Sequence, residues 1–332
     1  VTDAWTPQVN GVVRTMTTIV SMLRAKGHEV EVIGPDRFRS IPCPSYPEIP
    51  LALNPGRRLG ELANAFRPNV LHIVTEGPVG WAAWRWARKR GVPFTTSYHT
   101  RFPEYVQARL GWGLRPAYAL LRWFHNQSQG TLAATSSLRE DLSARGFTRL
   151  VPWTRGVDLA RFTPVSRRDW KAELGIPGPV FIHVGRLAVE KNIEAFLSLD
   201  LPGTKVVVGD GPHRASLEKN FPQAVFTGRL EEGALAAAYA GGDVFVFPSL
   251  TDTFGLVVLE ALACGTPVAA YNVTGPKDIL AGADGCVGSV NDDLRVACMQ
   301  ALEGDRAACR AHAERFTWEA CADMFENTLV LF

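Results

Sequence analysis

Phe247-Pro-Ser-Leu-Thr-Asp-Thr-Phe-Gly-Leu-Val-Val-Leu-Glu-Ala-Leu-Ala-Cys-Gly-Thr-Pro267 reads as the end of a strand, a turn, a helix and the approach to another strand. Phe245 to Phe247 close an apolar run, and Pro248 to Thr253 supply turn and capping residues. Gly255 opens the helix, Gly265 and Pro267 close it, and Val268 to Tyr271 resume a strand. Almost every side chain from Leu256 to Ala263 is apolar, which predicts a helix buried on most of its circumference. Glu260 is the exception. A carboxylate there is costly unless something pairs with it, so Glu260 serves either a structural hydrogen bond or ion pair, or a ligand. Asp252 precedes the helix and Glu260 lies a little over one turn into it, so both can face one cleft and grip a polyhydroxylated ligand from two ends. The N–H groups of Phe254, Gly255 and Leu256 stand at the helix start, where orphan donors and the helix dipole favour an anion such as phosphate.

A chain of 332 residues can bury two ordinary cores, which predicts two domains. No apolar run approaches the roughly 20 residues of a membrane-spanning helix, and no signal-peptide pattern opens the chain. The default expectation is therefore cytoplasmic. Cys43, Cys264, Cys286, Cys298, Cys309 and Cys321 form no CxxC pair and have no histidine at metal-ligand spacing, so they read as reduced thiols, several of them in cores. Net charge is +2, yet Val1 to Arg155 holds 20 Lys and Arg against 10 Asp and Glu, and the remainder 15 against 23. The basic first half has two readings, an anionic partner such as acidic lipid or a phosphorylated acceptor, or a dispersed solvated surface. Nucleic acid is not expected as a partner.

In chain order, Val1 to Asn10 form a loop with almost no strand before it, so a leading strand is expected to be missing. Gly11 then opens a helix from Val12 to Lys26. Gly27 to Ile33 predicts a helix stop and an alternating strand. Ile41 to Pro55, rich in proline, predicts an irregular excursion before a helix from Arg57 to Phe66. Val70 to Val74 is a buried strand, and Val79 to Lys89 a helix mixing Trp81, Trp84 and Trp86 with arginines. Val92 to Tyr98 delivers His99 to a strand end, the ligand side of a doubly wound sheet. Trp112 to Phe124 reads either as an amphipathic helix on an anionic membrane face or as a packed domain helix with snorkelling arginines. Ser136 caps the next helix. The second half restarts the strand, loop and helix rhythm. Val180 to Val184, then Gly185 and Arg186, then Lys191 put two cations near a strand's carboxyl end, where they suit a diphosphate; a surface salt bridge to Glu190 or Glu194 is the alternative. Gly209-Asp-Gly-Pro212 and Gly228-Arg-Leu230 follow two further strands.

Asp252-Thr-Phe-Gly-Leu-Val-Val-Leu-Glu260 resembles the acid-x7-acid signature of retaining glycosyltransferases of family GT4, with Asp at the first acidic position where Glu is common. Gly185-Arg-Leu187 with Lys191 is similar to the same family's phosphate-binding pattern, Tyr98 to Tyr105 to its histidine-bearing loop, and Val151 to Pro164 to its crossing between domains, with Arg155 where asparagine is usual. The resemblance spans nearly the whole chain. It implies an α/β fold of the GT-B kind, two facing Rossmann-like domains with a central inter-domain cleft: 1–154 on the acceptor side, 155–314 binding the nucleotide sugar, and 315–332 a helix crossing back. It also implies retention of anomeric configuration with no metal or other cofactor, Arg186 and Lys191 meeting the diphosphate together with the amides at Gly255 and Leu256. Glu260 would hold the ribose, Asp252 and His99 the donor sugar, Gly11 the region between phosphate and acceptor, and Gly209 and Leu230 the nucleotide. Phe254 and Gly185 complete this set.

The N-terminal motifs look like those of the bacterial GDP-mannose-dependent α-mannosyltransferases of that family, which makes mannose from GDP-mannose the expected donor group and a lipid-linked or glycan hydroxyl the expected acceptor. UDP-glucose, UDP-glucuronate or UDP-sulfoquinovose with a diacylglycerol acceptor is the alternative. Two other classes stay open, a nucleotide-sugar 2-epimerase and a non-catalytic nucleotide-sugar binder. A glycosidase lacks support, since no second carboxylate pair can be placed. Peripheral contact with the inner face of an anionic membrane is the last expectation, from the basic and aromatic first half.

Overall fold

The computed structural model describes residues 1–43, 46–104, 107, 113–176, 178–283 and 285–332. Their contacts divide the chain into two units, Val1–Arg155 with Trp318–Phe332, and Gly156–Thr317.

The first unit carries a two-stranded antiparallel ribbon, β1 (Ser40–Cys43) with β2 (Tyr46–Ala52), and a parallel sheet of β3 (His72–Ile73), β4 (Thr95–Tyr98), β5 (Thr131–Ala133) and β6 (Leu150–Pro152) in that order. The helices Gly56–Phe66 and Pro78–Arg90 supply much of its apolar packing through Leu59, Ala63, Val79, Ala83 and Ala87. The opening residues run beside β3: Val74 N–H donates to Val1 O at 2.9 Å and Thr2 N–H to Ile33 O at 3.1 Å. Strand β4 is polar and fully buried. Alternate side chains leave opposite faces of a strand, and here each face finds a histidine. His72 bonds the hydroxyls of Thr95 and Ser97, both at 2.8 Å, while Thr96 meets His125 Nδ1 at 2.9 Å. Those bonds offset the desolvation of three hydroxyls and two imidazoles that would otherwise be a net cost.

The second unit is a six-stranded parallel sheet of β7 (Val180–Val184), β8 (Thr204–Val208), β9 (Val225–Gly228), β10 (Val244–Phe247), β11 (Val268–Tyr271) and β12 (Gly288–Asn291). Its spatial order is β12-β11-β10-β7-β8-β9, the Rossmann arrangement, in which the winding reverses between β7 and β10 and ligands sit outside the strand ends at that reversal. Both faces are covered by helices, so the strands are near-continuous apolar runs, and Phe181, Val207, Val244 and Val246 are buried in one core with Phe196 and Leu294.

Several local expectations are corrected. Residues 27–33 form no laddered strand. Ile41 to Pro55 is no irregular excursion; it contains the β1–β2 ribbon. Proline is tolerated there because a two-stranded ribbon leaves outward N–H positions unpaired, and Pro42 lies opposite Pro50. Thr135, not Ser136, caps the helix Ser136–Ala144, accepting from Leu138 N–H at 3.2 Å. The final helix ends at Glu326, and Leu331 instead bridges Val70. Of the helix expected from Trp112, the described part is Leu114–His125; Trp112 and Tyr105 lie outside the described residues.

The last helix belongs to the first unit through specific bonds. Trp153, fully buried, donates from Nε1 to Cys321 O at 3.0 Å, and Lys26 pairs with Asp323 at 2.5 Å. Trp153→Phe leaves the Cys321 carbonyl without that donor and a void beside it, and is expected to destabilise the protein by about 2–3 kcal/mol, read as a lower midpoint in urea unfolding.

Candidate functional site

The loops that leave β7 and β10 meet at the reversal of the second sheet. Lys191 Nζ donates to both carboxylate oxygens of Asp252, at 2.7 and 2.9 Å, with the two side chains 24% and 16% exposed. Lys191 thus engages an acid on the facing loop, a partner that neither sequence reading names. Two further bonds stitch the same loops, Asn192 Nδ2 to Pro248 O at 3.1 Å and Ser249 Oγ to Glu190 O at 3.3 Å. Arg186 stands half-buried in the β7 loop.

Beyond Asp252 the chain turns through Phe254, which is buried, into Gly255 at φ +92°. That left-handed conformation favours glycine, and an added Cβ would also press on the Phe247 ring at 3.2 Å. Gly255 caps the helix Leu256–Ala263 and, as a glycine, has no side chain to bond the N–H groups at its start. Glu260, 4% exposed on that helix, accepts from Tyr239 Oη at 2.9 Å. Tyr239 was not singled out in the sequence; no periodicity distinguishes it from an ordinary core tyrosine in a helix of alanines.

The loops after β7, β8 and β9 are packed backbone to backbone. Leu187 N–H donates to Asp210 O at 2.9 Å, and Gly209 N–H to Gly228 O at 2.9 Å. A Cβ on Gly209, at φ +141°, would lie 1.9 Å from Gly185 O. The glycine is thus required by the neighbouring loop whatever it offers a ligand. Leu230, half-buried, follows β9.

His183 is a second residue that the sequence left unremarked. It sits on β7 two residues before Gly185, 2% exposed, with Nδ1 3.1 Å from Val246 O on β10. Burial pushes its pKa down to about 4, and the Lys191 charge acts in the same direction. A neutral ring bonded to a carbonyl must donate from Nδ1, which leaves Nε2 as an acceptor.

Gly11 and His99 belong to the first unit. Gly11 is the exposed first residue of the helix Gly11–Ala25, whose cap Asn10 accepts from Val13 N–H at 2.9 Å. His99 is half-buried beyond β4, packed edge to face on Trp153 at 5.5 Å. Burial, and then the Arg155 charge, hold its pKa well below the usual value. Arg155, the residue that departs from the usual asparagine, is buried, with its guanidinium 3.9 Å over Trp153 and Nη1 donating to Trp153 O and Thr154 O. Burial lowers its pKa to about 10. Asp3 closes the N-terminal loop, accepting from Val79 N–H at 2.7 Å and Gly80 N–H at 3.1 Å at the head of the helix Pro78–Arg90. Among the described residues no group of three or more His, Cys, Asp and Glu side chains could hold a metal, and no helix is long and apolar enough to cross a membrane.

A doubly wound parallel-sheet unit joined to a second parallel-sheet unit is the architecture of the two-Rossmann class to which GT-B glycosyltransferases belong. The solved sucrose-phosphate synthase of Thermosynechococcus elongatus shares the fold, with a TM-score of 0.75 at 20% identity over 96% of this chain and 92% of that one. Residues 9–161 match the family model described as Glycosyltransferase Family 4, and residues 178–303 the model described as Glycosyl transferases group 1. The sulfoquinovosyl transferase SQD2 of Arabidopsis thaliana is 36% identical over 96% of this chain and 70% of its own. A GDP-mannose-dependent alpha-mannosyltransferase of Mycolicibacterium smegmatis is 36% identical over 85% of this chain and 81% of its own. The chain belongs to glycosyltransferase family 4.

Protonation of the buried ring at His183 opposes folding. Free histidine takes up a proton near 6.5 and the folded His183 only near 4, so between these values the unfolded chain binds more protons. Stability is full above pH 6.5 and falls as the pH drops towards 4, by roughly 3 kcal/mol from this ring at the full shift. His72 and His99, also held well below 6.5, act in the same direction. Melting temperatures measured from pH 7 to 4 are expected to decline, and more shallowly in His183→Gln.

Proposed function

We propose that this glycosyltransferase moves a hexosyl group, mannose from GDP-mannose, onto a hydroxyl of a lipid-linked or glycan acceptor with retention of anomeric configuration. The observation that carries the reading is the half-buried Lys191–Asp252 pair beside the uncapped helix start at Gly255. Transfer from a nucleotide diphosphate sugar builds negative charge on the departing phosphate and positive charge on the sugar. Lys191, Arg186 and the N–H groups at Gly255 and Leu256 are the donors suited to the first. Asp252, already oriented by Lys191, offers carboxylate oxygens to sugar hydroxyls. Glu260, anchored by Tyr239, would take the ribose hydroxyls, with Gly185, Gly209, Leu230 and Phe254 around the nucleotide. In the first unit His99, kept neutral, would bond the donor sugar, and Gly11 would face phosphate and acceptor. Protein cations in this role make a metal unnecessary.

The choice of GDP-mannose is supported by the GDP-mannose-dependent mannosyltransferase relative, and transfer of a sulfoquinovosyl group, the alternative, by the SQD2 relative. Calorimetric titration with GDP-mannose, UDP-glucose and their parent nucleotides separates them; tighter binding of UDP-glucose would replace the GDP-mannose reading. Lys191→Ala and Glu260→Ala are each expected to lower turnover at least tenfold with unchanged circular dichroism. The anomeric proton of the product is expected to show the donor's configuration by NMR, and EDTA to leave the rate within twofold. Asp252→Glu restores the longer acid and tests whether the shorter arm sets donor choice.

A peripheral membrane contact also belongs to this reading. Trp81, Trp84 and Trp123 are in mutual ring contact, Trp123 and Leu120 are exposed, and Arg88 lies over Trp84. Exposed aromatic rings flanked by arginine suit an anionic interface. In vesicle sedimentation the protein is expected to favour anionic over neutral lipid, and equal partitioning would remove the contact.

A further inference from the structure

Three residues beyond β3, in the first unit, a carboxylate is held by a buried imidazole that none of the roles above uses. His125, 1% exposed, places Nε2 2.8 Å from Glu76 Oε1. A carboxylate only accepts, so Nε2 is the donor. The other nitrogen, Nδ1, meets Thr96 Oγ1 at 2.9 Å, and that hydroxyl is in turn 3.0 Å from Thr131 Oγ1 and 3.3 Å from Ser128 Oγ. The imidazole is therefore fixed from behind by a buried chain of hydroxyls, and the chain ends on a carboxylate that is 19% exposed. Glu76 Oε2 takes no hydrogen bond from the described residues.

The sheet register brings this carboxylate and His99 to the same end of the sheet. Ile73 of β3 is paired with Thr96 of β4, so Glu76 and His99 each stand three residues past a paired position on adjacent parallel strands, at the carboxyl ends where ligands of such sheets bind. Asp3, the neighbouring acid, is occupied by two backbone N–H groups and the Thr75 hydroxyl. Glu76 is thus a mostly buried but accessible acceptor in a segment, Val1 to Arg155, that carries twice as many basic as acidic residues.

We propose that Glu76 is the acceptor-binding residue of this enzyme, taking hydrogen bonds from the hydroxyls of an uncharged polyol, with His125 as its positioning residue. The inference rests on the transferase reading given above and adds the chemical class of the acceptor. A carboxylate with a bare lone pair accepts from a hydroxyl and repels a phosphate at the same place, so the reacting end of the acceptor is a sugar or glycerol hydroxyl carrying no phosphate.

The test uses the full chain with GDP-mannose or whichever nucleotide sugar calorimetry shows it to bind, so that absence of donor binding, which would sink the transferase reading, is seen separately. Octyl α-mannoside and dioctanoylglycerol serve as hydroxyl probes and mannose 1-phosphate as the anionic one. Wild type is expected to glycosylate a hydroxyl probe. Glu76→Gln, which keeps an oxygen for His125, should raise the acceptor KM at least tenfold while donor affinity and the rate of donor hydrolysis without acceptor stay within twofold. His125→Phe should raise the same KM, and His125→Gln, which can still donate, should recover most of the loss. An unchanged acceptor KM in Glu76→Gln, an equal fall in donor affinity, or transfer confined to mannose 1-phosphate overturns the assignment; an unchanged KM in His125→Phe removes the positioning role.

Discussion

Lys191 and Asp252 are 61 residues apart in sequence, and their ion pair is the constraint on which the loops after β7 and β10 depend. It sits where the winding of the second sheet reverses. The pair, with the Asn192 and Ser249 bonds to facing carbonyls, ties the loop after β7 to the loop after β10 across that reversal. Being only half-buried, it escapes most of the desolvation that makes deeply buried pairs costly. An incoming anion and an incoming polyol would each compete for one partner, so ligand binding and loop geometry are coupled through a single contact.

Beneath that pair the constraint changes from charge to space. Gly209 lies so close to Gly185 O that no side chain fits, and Gly255 holds a left-handed turn against Phe247. The glycines that a sequence reader assigns to phosphate are here required by backbone packing, and openness to a ligand comes as a by-product. The same economy of position appears in the first unit, where Trp153 serves at once as a donor to the last helix, a platform for Arg155 and a wall for His99.

What was legible in the sequence follows from this. The Leu256–Ala263 helix was plain because its apolar character runs all the way round, and Val180–Val184 because a strand buried on both faces has no polar alternation to confuse. The partner of Lys191 was not legible, since a long side chain chooses among nearby acids by three-dimensional geometry. The β1–β2 ribbon was hidden because its prolines mimic a loop, and residues 27–33 looked like a strand because alternation does not say whether the neighbouring backbone is there to ladder with. His183, Tyr239 and the Glu76–His125 pair left no trace at all. Single polar residues carry no period, and what marks them is a bond to a residue far along the chain.

The first unit is discontinuous: Trp153 and Lys26 are tied to residues of the final helix, with the whole of Gly156–Thr317 intervening. On a ribosome, the sheet that is made first therefore waits for the last segment of the chain, while the unit encoded second has all its own strands in hand earlier. The order of synthesis and the order in which the two cores can close are opposite. Until the final helix emerges, the buried hydroxyls of β4 and the histidines that bond them belong to an unfinished core.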